Sequence, residues 1–227
     1  MSASESSVET RAGVEVPLPR DAAAPVPETA TAPPPAPPTG DPLIIGLPAF
    51  LVGAVSLGLV QINFAPVAAA GAAIPIVVTA TFVGLLIATI WAARLGQNAV
   101  AGVLGVFAGF WLSYAAVVIG LGHSWFAILP AGVARSLEVF LIAWIVVIGL
   151  LTAGTLRLPL AYTVLLALVE VALVVLLIAV VQASANLTKT TGWIVMAFAV
   201  VGAYLYLSVL SVATGGKAFP MGKPILS

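Results

Sequence analysis

The chain has 227 residues, of which 62% are hydrophobic and 7% charged, with a mean hydropathy of +1.20. A soluble domain carries about 25% charged residues, so the chain lacks the charges to coat a water-facing surface, and a soluble fold is excluded. Eight basic residues balance eight acidic ones, which points to no nucleic-acid partner, and the absence of cysteine removes disulfides, thiolate nucleophiles and cysteine metal sites.

Residues 1–41 differ from the rest. They hold Pro17, Pro19, Pro25, Pro27, Pro33, Pro34, Pro35, Pro37 and Pro38, most of the acids, and almost no large apolar side chain. Such a segment cannot bury enough surface to offset chain entropy, so a disordered, partly polyproline tail is expected. It does not begin like a signal peptide: Glu5, Glu9 and Glu15 stand where a basic region would be.

Residues 42–227 form the second domain. Six apolar stretches, Leu43–Gln61, Ala72–Ala93, Ala99–Leu121, Leu137–Ala153, Leu158–Gln182 and Trp193–Ala213, are each long enough to cross a bilayer as a helix. The predicted fold is all-α, a polytopic six-transmembrane-helix bundle. Breaks are expected at Asn63 to Pro66, Arg94 to Asn98, Gly122 to Ser124, Gly154 to Pro159 and Asn186 to Gly192. Arg94, Arg157, Lys217 and Lys223 then share a side with the N-terminus, against Arg135 and Lys189 opposite, which predicts cytoplasmic termini. Trp91, Trp125, Tyr162 and Trp193 near span ends suit interfacial anchors.

The third span organises the rest. Ala101, Gly105 and Gly109 recur every four residues as a seam for close helix packing, and Phe107, Phe110, Trp111 and Tyr114 form an aromatic wall beside it. Gly46, Gly53 and Gly58 of the first span suit close packing as well.

Chemistry-bearing residues are few. Glu170 lies mid-span, where an ionisable side chain costs at least ~2.5 kcal/mol to insert and is expected to face protein or water; it is the candidate for proton coupling, against a structural acid bonded to a neighbouring helix. Tyr204, Ser208 and Ser211 form a stripe at 4-3 spacing, either a polar lining of a pathway or bonds between helices. Glu138 follows Arg135 by three residues and reads as an ion pair at the membrane edge. The lone His123 cannot build a zinc site. No GxxxxGK[ST], GxSxG or HExxH sequence occurs, so an enzyme, a cofactor and a metal site are not expected.

The run GQNAVAGVLGVFAGFWLSY resembles the third span of the acetate–succinate transporter family (the SatP/YaaH type, with fungal acetate permeases), with Gly96, Phe110 and Trp111 at its motif positions. Asp41-Pro42-Leu43-Ile44-Ile45-Gly46-Leu47 is similar to the family's Asn-Pro-Ala-Pro-Leu-Gly-Leu signature, with Phe50 following. Gly154-Thr155-Leu156, Gly192-Trp193-Ile194, Tyr204 and Gly216-Lys217 with Pro220 and Gly222 resemble later motifs. The resemblance implies uptake of a small carboxylate across the plasma membrane, commonly proton-linked, by a homo-oligomer, a hexamer in the family. It implies a constriction at Phe50, Phe107 and Val169, with Gly202 beside them. The departures are Asp41 for asparagine, Phe107 for tyrosine, and Leu85 and Ala92 at usually polar places. Apolar gates favour a monocarboxylate such as acetate over succinate. The alternatives are a channel for another small solute and a membrane assembly protein that moves nothing.

Overall fold

The computed structural model describes residues 39–226, and the proline-rich segment expected to be disordered lies outside them, apart from its last residues. Six helices are long and apolar enough to cross a membrane. They are α1 (Leu43–Gln61), α2 (Ala69–Arg94), α3 (Asn98–Gly122), α4 (Val133–Gly154), α5 (Leu160–Val181) and α6 (Ala185–Ala213). Among the described residues there is no β-strand. The chain is a multi-pass membrane protein built as an all-α bundle.

Short connections force neighbouring helices to run antiparallel. The α2–α3 link is Leu95–Gln97, and the α5–α6 link is Gln182–Ser184. One end of the bundle therefore gathers Leu43, Arg94, Asn98, Gly154, Leu160 and Ala213; the other gathers Gln61, Gly122, Val133, Val181 and Ala185. These are called the Leu43 end and the Gln61 end.

Going round the bundle, the helices follow the order α3, α2, α1, α6, α5, α4. Between α4 and α3 the backbones stay apart and aromatic rings fill the gap. Phe110 lies 5.9 Å from Phe140 and 5.3 Å from Trp144, centre to centre, and Tyr114 lies 6.5 Å from Phe140.

Where backbones do approach, glycine permits it. A Cβ on Gly46 would lie 2.7 Å from Leu104 Cδ2, on Gly53 2.6 Å from Thr81 Oγ1, and on Gly58 2.8 Å from Met196 Sδ. The α3 seam divides its work: Gly105 faces Thr89 of α2 at 3.2 Å, and Gly109 faces Trp144 of α4 at 3.5 Å. Opposite Gly53, residues Val77–Phe82 of α2 form a π-helical segment, which turns Thr81 inward until it is fully buried.

Two boundaries differ from expectation. The stretch Asn186 to Gly192, expected as a break, is the first two turns of α6. Ser184 caps it by accepting from Leu187 N at 3.4 Å, and Thr188, Thr190 and Thr191 donate to Ser184, Asn186 and Leu187 carbonyls of their own helix. Polarity here signals a helix satisfying itself, not a loop. α4 likewise starts a turn before Leu137, at Val133.

After α6 the chain turns at Gly215 (φ +88°) and runs back as an extended strap. Ser211 Oγ donates to Lys217 O at 2.9 Å, Phe219 N donates to Ser208 Oγ at 2.9 Å, and Tyr204 Oη donates to Pro220 O at 2.6 Å. Ala161 N then donates to Met221 O at 3.0 Å, while Ile225 N and Leu226 N both donate to Leu156 O. The strap thus ties the end of α6 to the α4–α5 connection.

Candidate functional site

The inner face of α1 repeats at 3-4-3-4 spacing, through Leu47, Phe50, Ala54, Leu57 and Gln61, all buried. That row and the ring spacer of α3 enclose two cavities in series. The first, about 260 Å3, runs towards the Gln61 end. Phe110, Trp111 and Tyr114 of α3, Val169 of α5, and Thr191 and Phe198 of α6 help to line it. The second, about 230 Å3, opens towards the Leu43 end, where Leu47, Val103, Leu158, Tyr162 and Leu165 line it.

Phe50 and Phe107 belong to both walls. Their rings meet edge to face, 5.0 Å between centroids, and Phe198 closes on Phe50 at 5.8 Å. Both phenylalanines are 4% exposed, so the partition between the cavities is packed shut. Edge-to-face rings hold by about 1 kcal/mol beyond their buried area.

Among the described residues no carboxyl, amino, guanidinium or imidazole group lines either cavity. A bare ion entering would exchange water for hydrocarbon at a cost of many kcal/mol. A small neutral molecule with an apolar end would not, and either cavity exceeds the roughly 30 Å3 that one water occupies in the liquid.

The structure brings some of the expected site residues together and separates others. Phe50 and Phe107 meet, and Val169, 6% exposed, stands on the wall of the first cavity. Gly202 is buried and lines neither cavity: a Cβ there would lie 3.1 Å from Leu51 Cδ2 and 3.8 Å from Leu165 Cδ1, a residue of the second cavity's wall. Glu170 lines neither cavity. Its carboxyl sits in the α4–α5 seam over Gly149, where a Cβ would come within 3.5 Å of Oε1, and Oε2 is buried without a partner. Tyr204, Ser208 and Ser211 line no cavity either, because their hydroxyls hold the strap.

Among the motif residues, Pro42 and Gly46 are buried, Leu47 lines the second cavity, Phe110 and Trp111 line the first, and Gly96 turns the α2–α3 link at φ +71°. Asp41 Oδ1 accepts from Leu43 N at 2.9 Å, a turn leading into α1 that an asparagine side chain could make as well. Glu138 pairs with Arg135 at the Gln61 end, and exposed His123 hydrogen-bonds Ile119 O through Nδ1 at 2.9 Å. Among the described residues no group of three metal-ligating side chains occurs.

Sequence reasoning passed over Gln61, Thr188 and Thr191, the polar side chains at the outer end of the first cavity. Gln61 was visible only as the end of a span. The two threonines fell in a stretch read as a loop, and the 3-residue step from Thr188 to Thr191 was the available signal.

Six membrane-crossing helices around two apolar cavities, parted by the packed rings of Phe50, Phe107 and Phe198, define a polytopic α-helical membrane protein. The chain belongs to the GPR1/FUN34/yaaH family, whose profile matches residues 24–220. Among solved structures it is similar to one described as the bacterial acetate channel SatP, with 20% sequence identity and a TM-score of 0.71; the match covers 82% of this chain and 100% of that one. A search of curated protein sequences gave no match.

Proposed function

We propose that the protein conducts acetate or a related short monocarboxylic acid across the plasma membrane, and that the solute crosses the Phe50–Phe107 partition as the neutral acid. The observation that carries this is a pair of apolar cavities that share the same two phenylalanines as their common wall. Membership of a family profiled across nearly the whole chain, and the likeness to a protein described as an acetate channel, support the choice of solute.

With no carboxyl, amino, guanidinium or imidazole group on the described walls, the proton travels on the solute. Uptake then follows a pH gradient without a dedicated relay, and any coupling through Glu170 acts from behind the wall, in the α4–α5 seam. Exposed Val139, Ile142, Val146 and Leu150 give α4 an apolar outer face suited to lipid or to another copy in a homo-oligomer, with the termini on the cytoplasmic side. Succinate, carrying two charges at neutral pH, fits the walls less well.

Uptake of labelled acetate into proteoliposomes, with and without an inward proton gradient, tests this directly. Wild-type protein should show gradient-driven, saturable uptake. Phe107→Ala, which removes a ring from the partition, should raise acetate flux several-fold and admit larger acids. Background flux in the wild type would sink the transport role and favour an assembly protein; unchanged size selectivity in the variant would sink the partition.

A further inference from the structure

We propose that Gln61 is the recognition group for the solute at the outer end of the first cavity, and that its carboxamide selects a carboxylic acid over a carboxylate by two-point pairing. This rests on the transport role proposed above and names the chemical form recognised.

Three observations converge on it. Gln61 is the last residue of α1 and is 9% exposed, so it is a polar side chain nine-tenths buried in the wall of a mostly apolar cavity. Its Oε1 is buried with no hydrogen-bond partner among the described residues. It is also boxed in from behind: Gly192 of α6 approaches so closely that a Cβ there would lie 2.9 Å from Gln61 Cβ. Glycine at 192 thus sets the start of α6 against the end of α1 and fixes the root of the glutamine side chain.

The neighbouring hydroxyls cannot play the same part. Thr188 Oγ1 donates to Ser184 O at 3.2 Å and Thr191 Oγ1 to Leu187 O at 3.0 Å, so both have spent their protons and remain acceptors only. Gln61 holds, on one planar group, an acceptor without a partner beside N–H donors; that acceptor has no surface open to the cavity, so the carboxamide turns about its last side-chain bond to present both atoms to the solute. A carboxylic acid presents the complementary edge: its carbonyl accepts and its hydroxyl donates. A carboxylate presents two acceptors and sets one of them against Oε1. Exchanging the positions of Oε1 and Nε2 leaves one donor and one acceptor, so the pairing does not depend on which way the amide is turned.

The pH dependence that follows belongs to the solute. The titratable group on this cavity wall is Tyr114 of α3. Exposed His123, exposed Lys189 and the Arg135–Glu138 pair stand at the same end of the bundle, outside the lining.

The test uses full-length protein in proteoliposomes with labelled acetate at pH 5.5. Gln61→Leu keeps the size and removes both hydrogen-bonding atoms; the half-saturation concentration should rise about tenfold, the loss of one to two net hydrogen bonds. In wild type, acetamide, which carries the same donor–acceptor edge, should compete with acetate. Acetone, of similar size with an acceptor alone, should compete at least several-fold less well. The acetamide arm requires no variant and stands even where Gln61→Leu fails to fold. An unchanged half-saturation in folded Gln61→Leu, or equal competition by acetone and acetamide, overturns the inference while wild-type uptake leaves the transport role intact. Absence of wild-type uptake overturns both.

Discussion

α6 carries two runs of hydroxyl side chains that look alike and do opposite work. Thr188, Thr190 and Thr191, at its start, return their protons to carbonyls of their own helix. Tyr204, Ser208 and Ser211, near its end, reach out to the backbone of another segment. The difference lies in what passes alongside. An extended strap brings unpaired N–H and C=O groups, each costly to leave unsatisfied in or near a membrane, and the second run satisfies them. No such backbone passes the first run, so its hydroxyls close on themselves and two of them face the cavity as weak acceptors. Thr81 makes a third case: fully buried under Gly53, its Oγ1 has no hydrogen-bond partner among the described residues.

The largest effect expected from this contrast comes from removing the strap. A chain ending at Gly216 loses the bonds to Tyr204, Ser208, Ser211, Ala161 and Leu156, and the Tyr204–Phe219 ring contact at 5.5 Å. At the ~0.6 kcal/mol typical of polar contacts in membrane proteins, the loss is about 4 kcal/mol, or roughly 10 °C in Tm for a domain of this size. Thermal unfolding in detergent would show it. The half-saturation for acetate should stay within about twofold, since the strap lines neither cavity. A large change in half-saturation with little loss of Tm would mean that the strap belongs to the conduit.

Much of this architecture was legible in the sequence. Uninterrupted apolar runs of bilayer length and the 4-residue recurrence of small residues on α3 are local signals, and the six helices and the aromatic wall followed from them. The meeting of Phe50 with Phe107 followed from family resemblance alone, because 57 residues separate them and no periodicity links two helices. The use of a hydroxyl was not legible. Serine and threonine at helical spacing serve a pathway, a neighbour or their own helix, and the choice is made by whichever backbone lies opposite. Glu170 shows the same limit: its central depth could be read off, whereas its direction, over Gly149 in the α4–α5 seam, is a property of the packed bundle.

Thr81 sharpens the contrast because its hydroxyl serves neither purpose. Thr81→Val replaces the hydroxyl by a methyl of nearly the same size, so the contact with Gly53 is kept while an unpartnered buried oxygen is removed. Replacing an unsatisfied polar group by an apolar one of the same shape is neutral to stabilising, and a gain of about 1 kcal/mol is expected. A rise in Tm by about 2–4 °C with unchanged uptake would confirm that the hydroxyl is idle. A loss of stability would mean that it has a partner in the membrane, such as a buried water.

The smallest effect separates the two α6 runs most cleanly. Thr191→Val removes a hydroxyl that is 1% exposed and whose proton already goes to Leu187 O at 3.0 Å, a carbonyl that keeps its helical bond. Back-bonding of this kind contributes little to a helix, so stability should move by less than about 0.5 kcal/mol. Uptake should change less than twofold, because Thr191 offers the solute no proton while Gln61 beside it on the cavity wall offers both a donor and an acceptor. Measured with Gln61→Leu in one set of proteoliposomes, the two variants rank the polar groups at the outer end of the cavity. If Thr191→Val impairs uptake as strongly as Gln61→Leu, then the threonine hydroxyl leaves its helix to meet the solute, and the first run of α6 works outward as the second one does.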